Sequence, residues 1–552
     1  MDDESKPTTI NRYNRRKWHR IATVLLGLAA ALVFNIWIAV WLANDAPDDG
    51  RLYAQMASNI VAHGVFSAES QVPFTPTLIR LPGYPFFLAA VYSVFGDGNN
   101  YAVRLIQGGI YTAACFLAAL IASSWAGGSK RRRRKAARWT FILAAFCPFT
   151  AIFSATILTE TLTMFFFAAI ILGATYAIKA NSGVRATAWW ILTGLAAGIA
   201  VMLRPDSGLF ALGIGLSIVV TGIWFRPLEL SRGGHFFAVF RKGVVFSAAF
   251  ILVLAPWTIR NELVFGVFQP LAPAHAEMPG EFVPHGYFLW LRTWIDDSRY
   301  IGPMLWGLEE NPIDITKLPA SAFSSEEERS QVSALIDQYN NSNPDRPKAD
   351  EKAGDDTATD DKGDSGENDS SDADTSDSDA EQADANENFD LKISPEVDDA
   401  FRVIAERRIA AEPIRFYVGL SAKRAASMWF DTHSDMFPFG GELLPLTELD
   451  TEKSQEIWLP LFMALDWLYT ITACGGLIIL LLIRAPRSKL WLFLVLAVSL
   501  PRIGFFGTME NPEPRYLVEL FIPAAILGGI LLSRVRLKRR NGSVGIDLSY
   551  GN

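Results

Sequence analysis

The chain of 552 residues is 50% hydrophobic and 12% aromatic, with a formal charge of −8 and a mean hydropathy of +0.20. That profile excludes an ordinary soluble enzyme and a disordered chain, and it belongs to a polytopic membrane protein. The three cysteines, Cys115, Cys147 and Cys474, all fall in apolar runs and none of the six histidines has metal-ligand spacing, so neither a disulfide framework nor a Cys/His metal site is expected.

The apolar runs predict an all-α protein of about ten transmembrane helices. They lie near Ile21 to Ala43, Tyr101 to Trp125, Trp139 to Ile157, Leu162 to Ala177, Ala188 to Leu203, Leu209 to Trp224, Val244 to Trp257, Leu459 to Leu482, Leu490 to Leu500 and Leu517 to Leu532. The first run is too long for a signal-peptide core and reads as a retained anchor. Basic clusters at Arg15 to Lys17, Lys130 to Arg134, Lys179 with Arg185, Arg241-Lys242, Arg484 to Lys489 and Lys538 to Arg540 all fall on one face if both termini are cytoplasmic. The apolar stretch Tyr84 to Phe95 is too short to span and follows Pro82, with Pro85 at its start. With the amphipathic stretch Arg51 to Ala62, it is predicted to lie at the outer interface.

The division that follows is a cytoplasmic tail (1–20), a transmembrane domain (21–261) with interfacial helices (51–96), an outer loop region (262–458), C-terminal spans (459–533) and a second cytoplasmic tail (534–552). Within the outer loop, residues 345–390 hold 18 acidic and four basic residues, a charge of −14, leaving +6 for the rest of the chain. With almost no apolar residues and no repeated calcium-loop spacing, this insertion reads as solvated and disordered. After it, Pro395 to Ala411 and Pro413 to Phe430 are predicted as amphipathic helices able to pack on the membrane domain.

The outer face gathers charge at helix ends. Asp45, Asp48 and Asp49 follow the first span, with Tyr53 four residues after Asp49; Arg80 precedes Pro82-Gly83-Tyr84-Pro85; Glu160 opens the fourth span and Arg204-Pro205-Asp206 ends the fifth. Arg260 ends the seventh span, Arg502 the ninth, and Glu513-Pro514-Arg515-Tyr516 opens the tenth. Each admits a plain structural role: Asp49 as an N-cap, Glu160 as a partner of the helix dipole, Arg204, Arg260 and Arg515 as interfacial anchors. A carboxylate at this lip could equally act as a base or hold a metal. Arginines on this face run against the positive-inside preference, so an anionic ligand or protein carboxylates should compensate them.

These motifs resemble the membrane glycosyltransferases of C-type fold (GT-C), glycosyltransferase family 39, close to the protein O-mannosyltransferases and aminoarabinose transferases. The residues concerned are Asp49-Gly50-Arg51-Leu52-Tyr53, Arg80 to Pro85, Thr159-Glu160, Gly194 to Pro205, Pro256 to Asn261, and Arg515-Tyr516 with Pro523. The resemblance covers the membrane domain, fades across the outer loop, and departs at Gly50, where better-known members often carry Glu. It implies a polyprenyl-phosphate-sugar donor, a glycan, lipid or protein acceptor, Asp49 as general base, and inversion at the anomeric carbon. Tyr53, Arg80, Glu160, Arg204, Arg260 and Arg515 become donor or acceptor contacts, with Asp48 and Glu160 as auxiliary groups for a divalent metal if one is used. The expected setting is a bacterial-type cytoplasmic membrane, with the site facing outward and no nucleic-acid partner. A transporter or flippase of a lipid-linked or anionic solute, and an outer-face polysaccharide polymerase or ligase, are the alternative readings.

Overall fold

The computed structural model describes residues 9–42, 48–180, 182–224, 232–308, 311–342, 391–441, 443, 453–483, 486–540 and 543–548. Asp45 and the acidic insertion 345–390 lie outside these residues. In chain order the first unit contains α1 (Thr9–Trp41), α2 (Asp48–His63), α3 (Gly83–Phe95), α4 (Asn100–Trp125), α5 (Lys130–Ala145), α6 (Pro148–Ala151), α7 (Glu160–Ala180), α8 (Gly183–Leu203), α9 (Gly208–Trp224) and α10 (Arg232–Phe265).

Nine helices among the described residues are long and apolar enough to cross a membrane. There are ten if α5 and the Pro148–Ser154 segment, bent by 59°, form one span. The break has a plain cause: Pro148 carries no N–H to continue the ladder of α5. Together these helices coincide with the ten predicted apolar runs, and the protein is a polytopic helical membrane protein. Some helices outrun their apolar stretch. The 34 residues of α10 extend about 50 Å, because its first turns, which include Arg232, His235, Arg241 and Lys242, continue the helix beyond its apolar part.

The C-terminal part of this unit contributes α15 (Lys453–Leu482), α16 (Pro486–Gly507), a 3₁₀ segment (Pro514–Leu520) and α17 (Phe521–Arg534). Small residues let these helices approach: a Cβ on Gly476 of α15 would lie 2.3 Å from the Leu527 carbonyl oxygen of α17. An antiparallel hairpin, β1 (Val535–Arg540) with β2 (Ser543–Leu548), follows α17.

The short helices α2 and α3 carry the candidate site. They pack together, and α2 buries two faces. Ala57 joins Tyr84, Leu88 and Tyr92 of α3 and Val103 of α4, while Met56 joins Val201 and Met202 of α8 and Trp257 of α10. The middle of α2 is therefore held against the C-terminal parts of α8 and α10.

The second unit, Pro284–Arg424 with Gly507–Pro512, contains α11 (His285–Arg292), α12 (Glu326–Asn340) and α13 (Pro395–Ala411). Its own core is aromatic, built on Tyr287, Trp290, Trp294 and Phe401, so α13 buries its apolar face here. A buried ion pair, Arg408 to Glu328 at 2.6 Å, ties α13 to α12. The stretch predicted from Pro413 as a plain helix contains a π-helical turn, Arg415–Leu420, before α14 (Ser421–Trp429).

Candidate functional site

Asp48 and Asp49 occupy the first turn of α2, where carboxylates complement the positive end of the helix dipole. Their side chains then diverge. Asp48 is exposed and pairs with Arg51 one turn on. Asp49 turns toward the protein: its Oδ1 accepts from Arg80 Nη2 at 3.0 Å, and its Oδ2 accepts from Nη1 and Nη2 of Arg515, both at 3.3 Å. Burial pushes the Asp49 carboxyl up, but the Arg515 and Arg80 guanidiniums outweigh it and hold the group below the usual carboxylate range.

Tyr53 shares the Asp49 face of α2, one turn along, and meets Tyr84 edge-on with ring centroids 5.3 Å apart. Burial, reinforced by the Asp49 charge, pushes its hydroxyl up to about 12, so at neutral pH it is a neutral O–H donor. Arg80 is delivered by the segment between α2 and α3. That segment folds back because Asn59 Nδ2 donates to the Ser67 and Glu69 carbonyls, and the Thr77 N–H donates to the Phe66 carbonyl.

Behind this pair runs a second, buried limb of alternating charge. Glu160 opens α7 and accepts from Arg204, at the C-terminal end of α8, at 2.5 Å. Arg204 Nε also donates to Asp206 at 3.2 Å, Asp206 pairs with Arg502, and Arg502 Nη2 donates to Glu519 at 2.9 Å. The limbs meet at Tyr516. Its backbone carbonyl accepts from Arg502 at 2.8 Å, its hydroxyl donates to Glu513 at 2.8 Å, and Arg204 and Arg515 lie 5.6 and 5.5 Å from its ring. Glu513 also pairs with Arg515. Protein carboxylates thus supply the compensation these arginines require.

Accessibility separates the limbs. The side chains of Arg502 and Glu519 are 0% exposed and that of Glu160 is 2% exposed, whereas Asp49 and Arg80 are 29% and 26% exposed. A ligand arriving from solvent meets Asp49 and Arg80 first, with Arg515, 17% exposed, deeper; the second limb, with Arg204 and Asp206 each 11% exposed, fixes the helix ends behind them.

Two predicted residues fall elsewhere. Arg260 donates to the Thr77 carbonyl at 2.8 Å and to Asn261 Oδ1 at 2.9 Å, with the Trp257 and Phe265 rings 4.8 and 4.9 Å away. It clamps the segment that carries Arg80, and no carboxylate pairs with it among the described residues. Asp48 and Glu160, the auxiliary pair, do not converge, since one is exposed beside Arg51 and the other is buried against Arg204. Among the described residues no three His, Cys, Asp or Glu side chains gather in a way that could hold a metal ion.

No family model matches the chain, and no curated protein matches it. Among solved structures it is similar to the crystal structure of ArnT from Cupriavidus metallidurans bound to undecaprenyl phosphate, at 15% identity and a TM-score of 0.35 over 93% of this chain and 78% of that one. It is likewise similar to the apo-state crystal structure of ArnT from that organism, at 15% identity and a TM-score of 0.33 over 94% of this chain and 78% of that one.

Glu519 and Asp466 were not among the residues singled out from the sequence, although an ionisable residue inside an apolar run is itself a signal. Asp466, within α15, is fully buried and neither carboxylate oxygen has a hydrogen-bond partner among the described residues. The segment between α14 and α15 adds Asp435, which remains accessible yet is hemmed in by protein and faces Asp431, Glu513 and Arg515. That crowding, with the Asp431 charge, pushes its carboxyl up to about 6.

Proposed function

We propose that the Asp49 end of the helices is the transfer site of a glycosyltransferase that moves a sugar from a polyprenyl-phosphate donor to an acceptor hydroxyl, at the membrane face opposite the basic clusters. The observation that supports this most is the sharing of Asp49, the most exposed carboxylate of the charge lattice, between Arg80 and Arg515. It stands at the head of a short helix suited to the boundary between bilayer and water. In the reaction the acceptor oxygen attacks the anomeric carbon, the bond from that carbon to the phosphate oxygen breaks, and polyprenyl phosphate leaves with the electron pair. The acceptor proton passes to Asp49, and single displacement inverts the anomeric centre.

The charge pattern supports a specific role exchange. Without donor, Asp49 is the counterion of Arg80 and Arg515, which makes it a poor base. A donor phosphate competes for the same two guanidiniums; as they turn to it, Asp49 loses stabilising charge and gains basicity when an acceptor needs it. Negative charge then grows on phosphate oxygens already facing two arginines. Tyr53, as a neutral donor, can hold a sugar or acceptor oxygen. Glu160 and Arg204 act as positioning residues behind the site, and Arg260 acts through the segment that carries Arg80.

Transfer of radiolabelled sugar from polyprenyl-phosphate donors in membranes tests the reading, comparing wild type with Asp49→Asn. Abolished transfer with normal expression is expected; transfer equal to wild type would remove Asp49 as base. A second reading, transport of a lipid-linked or anionic solute, is favoured by one observation, the buried Asp466 inside a span, whose oxygens have no hydrogen-bond partner among the described residues. It predicts solute flux in proteoliposomes that Asp466→Asn abolishes, with no sugar transferred.

A further inference from the structure

The other end of α8 bears a second site. Gly183–Leu203 is 21 residues long, so its first turn lies about 30 Å along the helix from Arg204. There Ser182, Gly183, Ala186, Thr187 and Trp190 of α8 face Arg241, Lys242 and Val245 of α10 across a small open pocket. The spacing of the α8 residues puts them on one helix face.

We infer that this pocket binds a phosphate group, carried by an anionic lipid headgroup or free. Three independent features support it. Ser182, at the N-cap of α8, makes no side-chain capping bond, so no side-chain cap satisfies the first-turn N–H groups at the positive end of the helix dipole. Arg241 and Lys242 line the same pocket, and among the described residues neither pairs with a carboxylate. Trp190, 2% exposed, lines the pocket, and its buried indole N–H has no hydrogen-bond partner among the described residues. An orphaned indole donor is costly unless something accepts from it, and an acceptor between two cations and a helix N-terminus should be anionic. The same two helix ends are greasy: Val184, Phe237, Phe240 and Val244 are exposed large apolar side chains there, suited to acyl chains beside a headgroup.

The test uses full-length protein purified in neutral detergent and titrated separately with phosphatidylglycerol, phosphatidylcholine and inorganic phosphate. Bound lipid is counted by native mass spectrometry and phosphate binding by thermal shift. Preferential retention of one phosphatidylglycerol is expected. The double variant Arg241→Gln/Lys242→Gln should weaken it by about tenfold or more, and Trp190→Phe, which keeps a ring and removes the donor, by several-fold. Arg131→Gln, which removes a charge elsewhere on the same face, should leave it unchanged. Inorganic phosphate that stabilises wild type but not the double variant, without lipid retention, would assign the site to free phosphate. The inference is overturned if neither anion binds wild type. It is also overturned if the double variant, melting like wild type, binds as wild type does, or if Arg131→Gln weakens binding equally.

Discussion

Arg515 reaches Asp49 across 466 residues of chain and closes on one carboxylate oxygen with two nitrogens, each at 3.3 Å. The contact joins the first short helix to the last span. Since Arg515 and Arg80 hold the Asp49 carboxyl below its usual range against burial, the acid limb of kcat/KM should lie below the ordinary carboxylate value, leaving the profile flat from weakly acidic to neutral pH. Arg515→Gln removes one of the charges that depress this group, so its limb should move upward, and kcat should fall by about 10²-fold or more as phosphate stabilisation is lost. A pH profile of sugar transfer measures both. A limb that stays in place in the variant would separate Asp49 from the titrating group.

The buried limb should behave differently. Removing Glu519, fully buried on Arg502, leaves an arginine short of a counterion inside the protein. Glu519→Gln should therefore cost about 3 kcal/mol of stability. The protein that still folds should transfer sugar with nearly unchanged KM, because this residue stands behind the accessible limb. Arg80→Gln should show the reverse, a near wild-type melting temperature with weakened donor binding. Detergent melting curves beside transfer kinetics separate the two patterns.

Ten apolar runs declare spans because a membrane helix must satisfy its backbone within itself, and that constraint writes hydropathy directly. Asp49, Arg80, Glu160, Arg204 and Arg515 were visible for a related reason, as charges beside such runs are costly enough to need a purpose. Their pairing was not visible. Glu519 and Arg502 are 17 positions apart on different helical segments, and only packing decides that they meet. Arg260 looks in sequence like another donor-facing arginine. It is diverted because the chain before Arg80 folds back and offers it the Thr77 carbonyl. The α8 pocket was hidden because Trp190 reads as one more apolar helix residue, and only the fold leaves its N–H without a partner among the described residues.

Gly83 sets the spacing between the Arg80 segment and the Arg204 end of α8. A Cβ there would lie 2.5 Å from the Met202 carbonyl oxygen and 2.7 Å from its carbon, so one backbone must give way. Gly83→Ala should destabilise by about 1–3 kcal/mol. It should also lower kcat more than it raises KM, since it displaces the Arg80 segment relative to α8. Melting and transfer assays on that single variant check both; wild-type values in each would show that α3 can shift without moving the site.

The second unit makes a prediction about the acidic insertion. Ser342 and Lys392, which flank it, are already in contact, with the Lys392 N–H donating to Ser342 Oγ at 3.1 Å, and α12 and α13 on either side share one core. Its ends therefore need no long connection. Replacing residues 345–390 with a Gly/Ser linker of about six residues, enough to span neighbouring ends, should leave the fold intact. Shortening the loop about eightfold lowers its closure entropy and should raise the stability of this unit by up to about 2 kcal/mol. The formal charge of the protein would change from −8 to +6, moving its isoelectric point upward. Sugar transfer in membranes should continue, because Asp49, Arg80, Arg515 and the paired residues behind them all lie outside the insertion. Loss of melting cooperativity on excision would instead mean that the insertion contributes to the folded core.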